Sequence, residues 1–226
     1  MANFNLWIDT PGKRRYNRVY VPPLYSNSPN DKGNFNSLGQ NVGTMRSISA
    51  PAWESVIGHP PTAAEMQAIT AEQAKAFYKE KIWDKVRGDS INNQLIAEMF
   101  ADMKSSAGYN AVKVMYRALG QPESTAVTDA LINSINAAKP AELYEKYRLA
   151  MIDYYISLNS YWESGHLKDM DRYYPKKDAN DPAFGSGGAP AVFTQRILSP
   201  QHIAIDFVAS CVFVLVIFAF YRFWRK

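Results

Sequence analysis

From residue 62 onward the apolar residues recur at helical spacing. Thr62 with Glu65, and Thr70 with Gln73, stand in capping-box spacing. After the second pair, Ala74, Phe77, Tyr78 and Ile82 fall on one face, which predicts a helix of about a dozen residues. Asn92 or Asn93 caps the next segment, where Leu95, Ile96, Met99, Phe100 and Met103 form a stripe that Gly108 ends. Ala111 to Leu119 repeats the pattern with Val112, Met115 and Leu119 and stops at Gly120. Two further helices fit residues 127–136 and 141–159, the latter carrying Leu143, Tyr147, Ala150, Tyr154 and Leu158 on one side. No strand-like alternation interrupts this half.

The opening differs in kind. Phe4, Trp7 and Ile8 suit a turn or two of helix before Pro11 and Gly12 interrupt it. Residues 22–51 hold Pro22, Pro23, Pro29 and Pro51 among many Asn and Ser, so they read as loop with room for a short hairpin.

At the far end, Ile203 to Tyr221 is an apolar run broken by one acid, Asp206. As a helix it just spans a hydrocarbon core of roughly 30 Å, with Tyr221, Trp224, Arg222, Arg225 and Lys226 as interfacial anchors. The expectation is a single-pass C-terminal anchor in a bacterial inner membrane. No signal peptide opens the sequence, which favours a tail anchor with the body in the cytoplasm. The basic C-terminus favours the opposite orientation, so the side stays open. Residues 176–200, with GSGG and three prolines, read as a flexible tether.

Charge changes this picture little. With 25 Lys+Arg against 21 Asp+Glu, the net charge of +4 falls short of the basic stripe that nucleic acid binding requires. One cysteine, in the apolar run, forms no internal disulfide, and three scattered histidines have no ligand spacing. Neither a metal nor a cofactor is expected. No nucleophile elbow or phosphate loop is present. Carboxylates remain as the catalytic inventory, and glycoside hydrolysis is the reaction class that runs on them. Lys13, Arg14, Arg15 and Arg18 read either as a solvated face or as a contact for an anionic polymer or headgroup.

The segments AEQAKAFYKEKIWDKVRGDSINNQLIAEMFADM (71–103), SAGYNAVKVMYRALG (106–120) and INAAKPAELYEKYRLAMIDYYISL (135–158) resemble the lysozyme-like muramidases of glycoside hydrolase family 108, with their helical peptidoglycan-binding part. The likeness is strongest from Gly58 to Leu158. It implies a mainly α, lysozyme-like domain over residues 1–175, loop-rich and divergent in 1–61 and best matched in 62–175. The tether then leads to the transmembrane helix and basic tail at 201–226.

The family's opening helix ends in Glu-Gly-Gly-Tyr, whose Glu is the general acid, and an Asp-Pro-x-Asp-x-Gly-Gly loop follows. In KRRYNRVYV, Asn17 occupies the place of that Glu and Tyr20 that of the Tyr. The loop survives partly in SPNDKGNFNSLG (28–39), where Pro29, Asp31 and Gly33 keep their places and Asn34 replaces the second Gly. An amide cannot protonate a leaving oxygen, a step commonly worth about 10² to 10⁴ in rate. The resemblance therefore implies a degenerate muramidase, a pseudoenzyme that binds peptidoglycan or scaffolds envelope proteins. The alternative is an active N-acetylmuramidase with a displaced carboxylate, for which Asp31 and Glu54 are the candidates. Glu65 fits a cap instead, and Glu98 lies beside an apolar stripe. Tyr20, Asp31, Trp83, Asp84 and Tyr109 are the expected substrate contacts.

Overall fold

A computed structural model describes residues 1–158 and 163–184. Its elements are helices α1 (Phe4–Ile8), α2 (Arg14–Tyr20), α3 (Ala50–Ile57), α4 (Ala63–Gln67), α5 (Ala71–Tyr78), α6 (Gln94–Ala107), α7 (Asn110–Ala118), α8 (Asp129–Ala137), α9 (Pro140–Ser157) and α10 (Glu163–Tyr173). Among the described residues one small sheet pairs β1 (Tyr25–Ser26) antiparallel with β2 (Thr44–Met45), Tyr25 opposite Met45. The hairpin allowed for in residues 22–51 is this one.

The predicted starts are real. Both capping boxes form, with Thr62 and Thr70 accepting from the backbone of Glu65 and Gln73 and the two N3 side chains reaching back. Asn93 caps α6 through the Ile96 N–H at 3.1 Å, and Thr128 caps α8 through that of Leu131. α6 is buried along Ile96, Ala97, Met99, Phe100 and Met103, so it forms the axis on which α7 and α9 pack.

Beyond α5 the chain makes a five-residue π turn, Lys79–Trp83, closed by the Asp84 N–H on the Lys79 carbonyl at 2.9 Å. This turn brings residues five apart into line, so Trp83 falls beneath Tyr78 and turns inward with Ile82. Trp83 is fully buried and stacks on Trp7 with ring centroids 5.4 Å apart, and Phe4 meets it edge-on at 5.9 Å. The short α1 is held to the body by this aromatic cluster, although Pro11 ends it after barely a turn.

Gly88 lies against the face of the Trp83 indole, where a methyl group would overlap the ring. Gly88→Ala is expected to cost about 1–3 kcal/mol by overpacking, seen as a lower melting temperature in calorimetry. An unchanged melting temperature would contradict that packing.

Beyond α2, which only the family resemblance implied, two helices were not legible in the pattern. α10, ESGHLKDMDRY, has few apolar residues and a glycine in its first turn, yet Met170 and the following Tyr174 are buried. α3 is short and opens on Ala50-Pro51. The expected tether also begins later than residue 176. Tyr144 donates to the Pro175 carbonyl at 2.7 Å and packs on Phe184 with centroids 5.4 Å apart. Asn93 donates to the Ala183 carbonyl at 3.1 Å, so residues 176–184 lie against α6 and α9. Chain contacts separate Met1–Pro190 from Ala191–Lys226, and every described residue belongs to the first unit. Among the described residues no helix is long and apolar enough to cross a membrane, and the run 203–221 lies outside them.

Candidate functional site

A cleft of about 460 Å³ opens between α2, the loop around the hairpin, the C-terminal end of α6 and the start of α10. α2 contributes Arg14, Arg15 and Arg18, the loop Asp31, Gly33, Thr44, Ser47 and Ser49, α6 Ser105 and Ser106, and α10 Gly165, His166 and Asp169. Hydroxyls and guanidiniums converge here, donors suited to a hydroxylated and partly anionic ligand.

The loop wall is held under backbone strain. Arg46 and Ser47 both have positive φ, 51° and 59°, and Met45 and Ile48 exchange backbone hydrogen bonds at 3.1 and 2.8 Å around them. Such a two-residue turn normally carries Asn-Gly. A non-glycine residue in this region costs about 1–3 kcal/mol and persists only where its surroundings enforce it. Arg46 supplies that enforcement. Its guanidinium donates to the carbonyls of Ile69, at 2.9 Å, and Val19, while its own carbonyl accepts from the Tyr78 hydroxyl at 2.8 Å. Ser47 is thereby presented to the cleft.

Behind the arginine wall lies a buried charge network. Arg15 is 1% exposed and Asp102 2%. Arg15 donates to Asp102 Oδ1 at 3.1 and 3.3 Å and to Ser105, and stacks over the Tyr78 ring at 4.2 Å. Asp102 also accepts from Trp7 Nε1 at 3.2 Å and from the Tyr174 hydroxyl at 2.5 Å. This carboxylate joins α1, α2, α6 and the end of α10. The basic cluster read as a solvated face or anionic contact is therefore largely internal: Arg15 is sealed in and Lys13 is paired with Glu98.

Asp169 accepts from Arg14 Nε at 3.0 Å and Arg18 Nη2 at 2.9 Å. Burial works against its charge, but the two guanidiniums prevail and hold the carboxyl below the ordinary 3.8. His166, stacked on Tyr155 at 4.4 Å, is pushed below its ordinary value by burial and by Arg14, and stays neutral. Because the folded value of Asp169 lies below the unfolded one, its contribution to stability is present above about pH 4 and is lost as pH falls through the folded value. Thermal melts between about pH 5 and 2 are expected to show a shallower acid loss for Asp169→Asn than for the native protein. Superimposable curves would contradict this.

Of the expected catalytic and substrate-contact residues, the structure brings Asp31 alone to this cleft, beside Arg14, Arg15 and Arg18 of the basic cluster. Its carboxylate accepts from the Gly33 N–H at 2.8 Å as the cap of the Lys32–Asn34 turn. Asn17 faces elsewhere, donating to the Tyr173 hydroxyl at 3.1 Å, and does not line the cleft. Tyr20 bonds Asp9 at 3.0 Å, and burial with that partner pushes its hydroxyl up to about 12. Trp83 is a core residue with Nε1 on Asp89 at 2.7 Å, so it cannot stack on a sugar. Asp84 pairs with Lys79 on the outer surface. Tyr109 is 67% exposed beneath Lys104, away from the cleft lining. Glu54 accepts from the Ser37 backbone at 3.0 Å, which holds it below its ordinary value and makes it a poor acid. The arginines were visible in the sequence as a basic cluster. Ser47, Ser49, Ser105, His166 and Asp169 carried no signal.

A different carboxyl is raised above its ordinary value. Glu98, on α6, lies in a second cleft of about 430 Å³ with Trp7, Lys13, Arg172, Tyr173 and Lys177. Burial raises its value despite the opposing pull of Lys13 and Gln94, both of which bind Oε1.

The family model described as Glycosyl hydrolase 108 matches residues 24–108. The match includes Asp31, Ser47, Ser49, Ser105 and Ser106, and begins seven residues beyond Asn17. The solved structure of SagA from Brucella abortus is similar with a TM-score of 0.61 at 16% identity, over 76% of this chain and 93% of that one, a likeness of fold. No curated protein matches the chain. Residues 24–108 match the Glycosyl hydrolase 108 model, on a mainly helical body whose fold is similar to that of SagA.

Proposed function

We propose that this protein binds peptidoglycan through its lysozyme-like cleft without cleaving it, as a membrane-anchored protein of the cell envelope. The observation that carries this reading is the state of the cleft's carboxylates. Asp31 is spent as a turn cap, and Asp169 is held ionised by two arginines. A general acid must enter the reaction protonated, and the two arginines on Asp169 disfavour that form there.

The resemblance supports the same conclusion: counted from Tyr20, the acid's place in Glu-Gly-Gly-Tyr is Asn17, an amide.

The apolar run 203–221 supports the anchor. Binding peptidoglycan requires the body on the outer side of that membrane, in keeping with a basic C-terminus in the cytoplasm. Co-sedimentation of the full-length protein with purified sacculi tests the binding, and protease shaving of intact spheroplasts tests the side. Protein left in the supernatant, or a body protected from protease, would refute the reading.

A second reading rests on Glu98. Its raised value and its place in a cleft are what a displaced acid requires, so an active muramidase would lose turnover on Glu98→Gln.

A further inference from the structure

Arg14 and Arg18 stand one helical turn apart on α2, with both guanidiniums on a single oxygen, Oδ2, of Asp169. Oδ1 of Asp169 has no partner among the described residues and is not sealed from solvent. A carboxylate gripped by two arginine side chains at the edge of a cavity shows what that pair recognises, because the planar guanidinium fork matches an oxyanion. Arg18 is about half exposed and opens the subsite to the cleft, while Arg14, 11% exposed, also lies 3.6 Å from Asp102 Oδ1 and forms its inner wall. Ser47, Ser49 and Ser105 line the same cleft and offer hydroxyls to a hydroxylated ligand.

We propose that Arg14 and Arg18 form a carboxylate-binding subsite of the cleft, occupied by the protein's own Asp169 when no ligand is bound and taken over by an acidic glycan on binding. The subsite stands on the arginine geometry alone; the glycan as bearer of the carboxylate rests on the peptidoglycan reading, and within it on strands stripped of stem peptide, where the lactyl carboxylate of N-acetylmuramic acid is free of its amide bond. Self-occupancy lowers apparent affinity by the fraction of time the arginines are unavailable. Removing the internal carboxylate therefore tightens binding of an acidic ligand and leaves a neutral one unaffected.

The experiment titrates the full-length protein by calorimetry with N-acetylmuramic acid, with N-acetylglucosamine, which lacks the carboxylate-bearing ether, and with D-lactate, which is the carboxylate without the sugar. Asp169→Asn is expected to tighten N-acetylmuramic acid about tenfold, and Arg18→Gln to weaken it by at least as much. N-acetylglucosamine should respond to neither substitution. A gain on Asp169→Asn cannot arise from misfolding, and Arg18 is exposed enough for its variant to fold, which a circular dichroism melt verifies. Equal responses of the two sugars, or no gain in Asp169→Asn with any of the three probes, would overturn the subsite. D-lactate binding Asp169→Asn as tightly as N-acetylmuramic acid would uphold the oxyanion subsite and overturn its assignment to a glycan. Sacculus co-sedimentation of the native protein decides the peptidoglycan reading separately.

Discussion

Asp102→Asn is expected to lower the melting temperature by about 10 °C, the consequence of a loss of about 3–5 kcal/mol in a domain of this size. Asp102 is the sole carboxylate touching Arg15, whose guanidinium is sealed from water between Tyr78, Trp7 and Ser105. Neutralising Asp102 strands that charge in the interior, and the uncompensated ion sets the cost. The same substitution weakens the bonds from Trp7 and Tyr174, loosening α1 and the end of α10 together. The double variant Asp102→Leu with Arg15→Leu should therefore lose less than the sum of the two single variants. Additive losses in calorimetry would show that the two groups do not act as a pair.

Trp83→Ala is expected to destabilise by about 3–5 kcal/mol, the range for removing a fully buried large aromatic side chain. Trp7 and Phe4 lose their ring partner, and Asp89 loses its indole donor. Trp83→Phe, which keeps most of the packing, should melt closer to the native protein and pellet with sacculi as the native protein does. Selective loss of sacculus binding in a well-folded Trp83→Phe variant would return this residue to the site and contradict the buried assignment.

The helices from α4 to α9 were legible because their caps and apolar stripes agree locally: Thr70 with Gln73, and Asn93 ahead of Ile96, Met99 and Met103. Trp83 was expected at the site because the family resemblance places a substrate-contacting residue at its turn, and a π turn is invisible to a 3.6-residue pattern; that turn carries Trp83 into the core. α10 was missed for the opposite reason, being held by polar groups, with Asp169 on two arginines and Tyr174 on Asp102. Pairs so distant in sequence leave no periodic trace. The cleft was half legible: Asp31 and the arginines stood out by type, but the serines facing them signal nothing until the hairpin and the end of α6 are brought together. Asn17, the place the resemblance assigns to the family's acid, lies seven residues before the stretch the family model matches.

The central claim is that this cleft holds glycan strands and does not cut them. The most direct test is mass spectrometry of the soluble fraction after purified peptidoglycan is incubated with the full-length protein. The account predicts protein in the pellet and no muropeptides in solution. Released muropeptides that disappear with Glu98→Gln would contradict it and establish Glu98 as the acid of a working muramidase.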